Sequence, residues 1–202
     1  MWRNPKTWLF LACLLPLARL VGLGLGHGLG ANPIEFVTRS LGTWTLSFLL
    51  VTLAVTPLRR LTGQGHWLRY RRMLGLFAFF YGVLHLTTYL WLDQFFDWPD
   101  ILKDITKRPF ITAGMTAFLL LVPLAATSND RAVRALKRNW SRLHKLVYPA
   151  AVLAVLHYWW LVKRDITQPA VYAAVLAVLL GLRLVWWWRK RAGAPATRLS
   201  AG

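Results

Sequence analysis

Cysteine and acidic residues are scarce in this chain of 202 residues. Cys13 is its one cysteine, which excludes an intramolecular disulfide, a CxxC redox pair and a four-cysteine iron–sulfur cluster within the chain. Asp and Glu number 7 against 25 Lys and Arg, so the formal net charge is +18. A nucleic-acid-binding protein can show this balance, but here the basic residues form short runs between apolar segments. That distribution indicates a membrane topology and argues against nucleic-acid binding.

Long polar stretches are also missing, and the chain is 56% hydrophobic with a mean hydropathy of +0.42. We therefore expect one membrane domain over residues 1–191. Residues 192–202 are small and polar, and we expect them to form a disordered cytoplasmic tail. The first apolar run is long enough to span a bilayer, so we interpret it as a retained anchor and not as a signal peptide. No internal repeat is evident in the sequence.

Six apolar segments approach the roughly 20 residues that a helix needs to cross the hydrocarbon core of a bilayer. Because the segments are continuously apolar and do not alternate, helices are favoured over the strands of a β-barrel. The sequence predicts an all-α integral membrane protein in contact with lipid, built as a six-helix transmembrane bundle. The segments are Thr7–Gly26, Leu41–Leu58, Leu74–Leu92, Phe110–Ala126, Leu143–Val162 and Ala170–Trp188.

The connections between these segments differ in charge. The second and fourth connections and the end of the chain are rich in Lys and Arg, whereas the third connection carries Asp93, Asp97, Asp100 and Asp104. The positive-inside rule then places both termini in the cytoplasm and the acidic third connection outside. This acidic connection is either a docking surface for a partner or an ordinary solvated loop.

Three histidines, His85, His144 and His157, lie inside or at the edge of these segments. A titratable side chain at bilayer depth is costly, which makes it a functional candidate, and neutral imidazole is a common iron ligand. In the predicted topology His85 and His157 both lie about 18–20 Å from the inner ends of two parallel helices. Two imidazoles at one depth can hold a haem between them, and the alternative is a pair of hydrogen-bonded polar residues. The chain has no CxxCH motif, so such a haem would be b-type.

Four further residues are candidates for cofactor contact. His144 lies 13 residues before His157, which separates them by about 20 Å and about 140° on an ideal helix. Its open roles are ligation of a second haem, proton exchange with a quinol, flavin contact and simple interfacial placement. Arg71 and Arg72 occupy the matching inner depth of the third helix. Arg19 lies about 18 Å into the first helix and either snorkels to the interface or pairs with a haem propionate.

Six stretches carry a resemblance to a known family: Arg71-Arg-Met-Leu-Gly-Leu, Tyr81-Gly-Val-Leu-His85, Lys107-Arg-Pro-Phe-Ile-Thr-Ala-Gly114, Thr127-Ser-Asn129, Trp140-Ser-Arg-Leu-His144 and His157-Tyr-Trp-Trp160. In this order they resemble the MsrQ (YedZ) proteins, which belong to the wider ferric-reductase and NADPH-oxidase transmembrane group. The resemblance implies a haem protein of the bacterial inner membrane. It would pass electrons from the quinone pool, with FMN associated, to a periplasmic molybdenum-dependent methionine sulfoxide reductase of the MsrP type.

The same resemblance implies site residues and leaves two questions open. His85 and His157 match the family's haem histidines, and His144 matches its third functional histidine. The wider group carries paired histidines on both helices, but this chain lacks the inner one on the third helix. One haem is therefore expected, and a second stays open. The chain also lacks the soluble flavin and nicotinamide domain of larger relatives.

Three functions follow from these observations. The first is an electron-transfer subunit that serves a separate catalytic subunit. The second is a stand-alone transmembrane ferric reductase. The third is a haem-free transporter or assembly factor whose histidines relay protons.

Overall fold

The computed structural model describes residues 5–192, and within this range it is helical with no strand. The predicted all-α class is therefore confirmed. The helices, numbered in chain order, are α1 (Pro5–Leu25), α2 (Pro33–Thr62), α3 (Leu68–Thr87), α4 (Trp98–Lys107), α5 (Pro109–Ala126), α6 (Asp130–Leu136), α7 (Arg138–Leu143), α8 (Val147–Leu161) and α9 (Thr167–Ala192).

Each of the six predicted segments coincides with one long helix: α1, α2, α3, α5, α8 or α9. Among the described residues, five helices are long and apolar enough to cross a membrane, and α8 is shorter, with 15 residues. A 3₁₀ turn, His144–Leu146, precedes α8 directly and lengthens it toward the end of the bundle that is predicted to be cytoplasmic, which we call the inner end. The count of six spans and the cytoplasmic placement of both termini stay predictions. The predicted tail begins at Ala192, which ends α9, and its remainder lies outside the described residues.

Helix α2 begins eight residues before the predicted apolar segment. The side chain of Asn32 accepts a hydrogen bond from the Glu35 N–H, and Pro33 follows it at the first helical position. This is a strong start signal for a helix. An ion pair of 2.6 Å between Glu35 and Arg39 stabilises the first turns. Hydropathy alone cannot detect these turns, because Glu35 and Arg39 interrupt their apolar residues.

Two helical hairpins form the centre of the molecule. Helix α2 packs along α3, and α5 packs along α8. Contacts of α3 with α5 and of α2 with α8 join the two hairpins, while α9 packs on α2 and α8. Ala78, Ala150 and Ala151 are fully buried, which brings the helix backbones close together.

Helix α1 is joined to α3 by a buried tyrosine. The Tyr81 hydroxyl donates to the Cys13 carbonyl at 2.8 Å and accepts from the Leu17 N–H at 3.2 Å. Pro16 lies between these two groups in α1. The hydroxyl thus inserts into the helical hydrogen-bond ladder at a proline, a position where helices commonly bend. Tyr81 is 0% exposed, so this joint excludes solvent.

The predicted outer connection after α3 is mostly helical. Helix α3 continues as a π-helix, Thr88–Asp93, and α4 then lies against α5 through buried Ile101. Asp104 pairs with Arg108 at 3.1 Å, while Asp93 and Asp100 lie on the exposed side. The acidic connection is therefore an ordered segment that α5 supports.

Candidate functional site

His85 and His157 lie side by side between the two hairpins. His85 belongs to α3 and His157 to α8, and their ring centres are 6.1 Å apart with ring planes crossing at 69°. Both residues are only partly exposed. The prediction that they lie at one depth agrees with this contact. We call these two residues the histidine pair.

Each ring of the histidine pair is hydrogen-bonded to the backbone of the other helix in its hairpin. The Nδ1 of His85 lies 2.9 Å from the Thr38 carbonyl oxygen, and the Nδ1 of His157 lies 2.6 Å from the Phe110 carbonyl oxygen. A carbonyl can only accept, so each Nδ1 carries the proton. The lone pair of each neutral ring is therefore on Nε2, the nitrogen that remains for a metal.

The spacing of the histidine pair fits one iron atom. Imidazole nitrogens bind transition metals at about 2 Å, and each ring centre lies about 1 Å beyond its nitrogen, which gives a separation of about 6 Å. The observed separation is 6.1 Å. The buried hydroxyl of Thr38, next to the His85 acceptor, has no hydrogen-bond partner among the described residues. A polar group of a bound cofactor would explain why this buried hydroxyl beside the histidine pair has no partner in the protein.

His144 lies at the inner end of the bundle and is bonded differently from the histidine pair. Its Nε2 is 3.0 Å from the Thr127 hydroxyl, and that hydroxyl itself donates to the Pro123 carbonyl. Nε2 of His144 is therefore the donor, which leaves the lone pair on Nδ1. The ring also stacks on Trp140 with centres 4.0 Å apart. Ligation of a metal through Nε2 would require this hydrogen bond to break.

The structure separates the three candidate arginines. Arg71 is partly buried and interacts electrostatically with His144, Tyr148 and Arg183, so it belongs to the inner end of the bundle. Arg72 points to the surface and pairs with Asp130 of α6 at 2.7 Å. The Arg72 guanidinium, which donates a hydrogen bond to this carboxylate, holds the pKa of Asp130 below its ordinary value.

Arg19 lies on an exposed face of α1. No ion pair joins it to another residue within 5–192. It therefore lies outside the cluster that the inner arginines form.

Arg183 is a site residue that the sequence reasoning did not single out. It lies in α9 and donates hydrogen bonds to the carbonyls of Leu179 and Leu53. Pro57 lacks an N–H, so the Leu53 carbonyl has no helical donor four residues on, and Arg183 supplies one. The guanidinium also lies over the Tyr148 ring, 5.6 Å from its centre. A lone arginine inside an apolar segment was the available signal.

The helical bundle and its buried histidine pair define the class of this protein. Residues 41–155 match the family model described as ferric reductase like transmembrane component, and the chain belongs to that family. Within it, the chain belongs to the MsrQ proteins, the heme-binding subunits of protein-methionine-sulfoxide reductase.

The similarity to these proteins extends over almost the whole chain. The heme-binding subunit MsrQ of Herminiimonas arsenicoxydans is 56% identical over 190 residues, which is 92% of this chain and 87% of that protein. The MsrQ of Bordetella pertussis is 55% identical over 191 residues, covering 94% and 93% of the two chains. The MsrQ of Ralstonia nicotianae is 56% identical over 198 residues, covering 96% and 91%.

Proposed function

We propose that this chain is a membrane electron-transfer subunit that holds a b-type haem between His85 and His157. The observation that carries the proposal is the histidine pair: two neutral imidazoles with free Nε2 atoms and ring centres 6.1 Å apart. The relatives' designation as heme-binding subunits of protein-methionine-sulfoxide reductase supports it. A haem bound there supplies a one-electron carrier within the bilayer.

The residues of the chain serve this function by fixing two ligands in an apolar bundle. The carbonyls of Thr38 and Phe110 orient the imidazoles and increase their basicity as ligands. The ring of Phe110 also packs near the pair, with its centre 6.2 Å from that of the His157 ring. His85 and His157 would both hold such a haem, and a haem held by two imidazoles would serve electron transfer rather than substrate chemistry at the iron.

The inner end of the bundle is our proposed entry side for electrons. We propose the quinone pool as the donor, with FMN as an intermediate carrier. His144 and Arg71 lie together there and offer a hydrogen-bonding imidazole and a cation to such a cofactor or to a second haem. Arg72 belongs to the same end and contributes positive charge near its surface. Arg19 lies in the C-terminal half of α1, away from the inner end. We propose that it either anchors the helix at the membrane interface or pairs with a haem propionate.

The outer end is the proposed exit side. There we propose that the chain delivers electrons to a periplasmic, molybdenum-dependent methionine sulfoxide reductase that repairs oxidised proteins. The word subunit in the relatives' names supports a separate catalytic partner. We accordingly propose that the chain lies in the inner membrane of a bacterium, with residues 1–191 as one haem-binding transmembrane domain.

A stand-alone ferric reductase is the second candidate, which the match to the ferric reductase like family model supports. The two candidates differ in their need for a partner. The experiment uses the reduced chain in membrane vesicles or proteoliposomes. Ferric chelates should oxidise it only slowly, whereas the reductase partner should oxidise it rapidly. Rapid, partner-independent reduction of ferric chelates would instead support the second candidate.

The haem assignment is tested by spectra of the purified chain, expressed with haem supplied. The wild type should show the Soret and α bands of a six-coordinate b-type haem. His85→Ala and His157→Ala should lose this spectrum, while His66→Ala, at an exposed position outside the bundle, should retain it. A wild-type protein without a Soret band would support a haem-free proton relay.

A further inference from the structure

The two hairpins repeat one contact at a constant distance along the chain. His85 lies 47 residues after the Thr38 carbonyl that it bonds, and His157 lies 47 residues after the Phe110 carbonyl. Each contact in the second hairpin therefore follows its counterpart in the first by the same interval. The hairpins α2–α3 and α5–α8 therefore share a repeated ring-to-carbonyl contact, which is not evident in the sequence.

A glycine accompanies each contact at the same place in the repeat. Gly42 follows Thr38 by one helical turn, and a Cβ added to it would lie 3.0 Å from Cε1 and 3.1 Å from Nδ1 of His85. Gly114 follows Phe110 by one turn, and its Cβ would lie 2.7 Å from Nδ1 of His157. Each imidazole therefore lies directly on the backbone of the opposite helix.

The repeat extends to two open grooves, one on each hairpin. A groove of about 270 Å³ is lined by Leu41 and Thr88, and another of about 350 Å³ by Ala113 and Trp160. These lining residues occupy equivalent positions in the two hairpins, next to each glycine and one turn after each histidine.

The glycine and the carbonyl work together for a geometric reason. In an α-helix the carbonyl of residue i already accepts from the N–H of residue i+4, and the side chain of that residue lies close to it. A glycine at i+4 leaves the second lone pair of the carbonyl open to a group from another helix. We call each combination a carbonyl–glycine seat: Thr38 with Gly42, and Phe110 with Gly114.

We propose that Gly42 and Gly114 are the positioning residues for the axial ligands, because their missing Cβ lets each imidazole reach the carbonyl that fixes its Nε2 toward the iron. This inference rests on the proposed function. It assigns to the two glycines a role that neither composition nor helix propensity requires, since glycine disfavours a helix interior. Loss of such an orienting contact at a metal-ligating histidine typically lowers metal affinity by about 10–100-fold.

The two seats predict effects of different size. Alanine at position 114 would bring its Cβ to 2.7 Å from an atom of the His157 ring, closer than real Cβ atoms approach. Alanine at position 42 would come no closer than 3.0 Å to the His85 ring, which a small ring movement relieves. We therefore expect Gly114→Ala to detach His157 from the iron. Gly42→Ala should keep both ligands but alter the reduction potential.

The experiment compares Gly42→Ala and Gly114→Ala with the matched control Gly82→Ala. Gly82 lies one turn before His85, but the atoms nearest to a Cβ there belong to Thr45 and Phe118, at 3.5 Å and beyond. The readouts are haem content, the reduced spectrum with and without carbon monoxide, and the midpoint potential of the purified proteins. Carbon monoxide binds an iron that has lost one axial ligand, so it reports the ligand directly.

The expected result is a graded series. The wild type and Gly82→Ala should be inert to carbon monoxide, Gly42→Ala should show a shifted potential, and Gly114→Ala should bind carbon monoxide or lose haem affinity by about 10–100-fold. Added imidazole should restore the six-coordinate spectrum of Gly114→Ala, which distinguishes a displaced ligand from a misfolded bundle. Wild-type spectra and potentials in both seat variants would overturn the inference. A wild type without haem would instead contradict the proposed function.

Discussion

The contact between Arg183 and the Leu53 carbonyl gives a prediction that can be tested by a double-mutant cycle. Arg183→Met roughly keeps the length of the side chain but removes the hydrogen-bond donor. The buried Leu53 carbonyl then has no donor, because Pro57 has no N–H to offer it. Pro57→Ala returns a backbone N–H at the position where a regular helix would satisfy that carbonyl. Arg183→Met should therefore destabilise the wild type more than it destabilises Pro57→Ala.

The expected magnitude follows from the cost of a lost hydrogen bond. An unsatisfied buried group costs about 1–3 kcal/mol, but hydrogen bonds within membranes average about 0.6 kcal/mol and reach about 1.7. We expect a coupling energy of about 1 kcal/mol between positions 183 and 57. The removal of positive charge near Arg71 occurs in both backgrounds, so it cancels in the cycle.

The assay is unfolding of the purified chain in mixed micelles by increasing denaturing detergent, followed by circular dichroism. Pro123→Ala in α5 is the matched control, because it removes a helix proline that Arg183 does not contact. Arg183→Met should cost the same in this control background as in the wild type. An equal cost in the Pro57→Ala background would refute the explanation that Arg183 replaces the missing donor.

Three further predictions concern other contacts. Tyr81→Phe should lower the free energy of unfolding by about 1 kcal/mol, because it removes the hydroxyl that joins α1 to α3; unchanged unfolding in the same detergent assay would contradict this. The ion pair between Asp130 and Arg72, which lowers the pKa of the carboxyl, should stabilise the contact between α6 and α3 at pH values above the ordinary carboxyl pKa. That contribution should vanish as pH falls through the lowered pKa, and Asp130→Asn should abolish this pH dependence of proteolysis. His144→Ala should leave the axial ligation by the histidine pair intact, since His144 bonds Thr127 at the inner end; loss of the six-coordinate spectrum in this variant would contradict that placement.

Hydropathy and helix geometry predicted much of the fold and the central contact. Apolar runs located the long helices, because a bilayer requires every backbone group to be paired within its own segment. The rise per residue then placed His85 and His157 at one depth, and the two rings do meet. These predictions succeeded because they depend on distances along single helices, which the sequence determines.

Contacts between helices were harder to predict. The two seats use a carbonyl, which every residue carries, so Thr38 and Phe110 perform the same task with unrelated side chains. For this reason the repeat is clear in the structure and is not evident in the sequence. The partnership of Arg183 with the Leu53 carbonyl was likewise hidden, since it depends on a proline in a different helix.

Electron paramagnetic resonance of the oxidised, purified wild type tests the central claim most directly. Iron held between two imidazoles should give a low-spin ferric signal, and ring planes that cross at 69° predict the strongly anisotropic form of that signal, in which one component dominates. Parallel planes would give three well-resolved components instead. A high-spin ferric signal, or the absence of haem iron from protein expressed with haem supplied, would contradict the assignment of His85 and His157 as axial ligands.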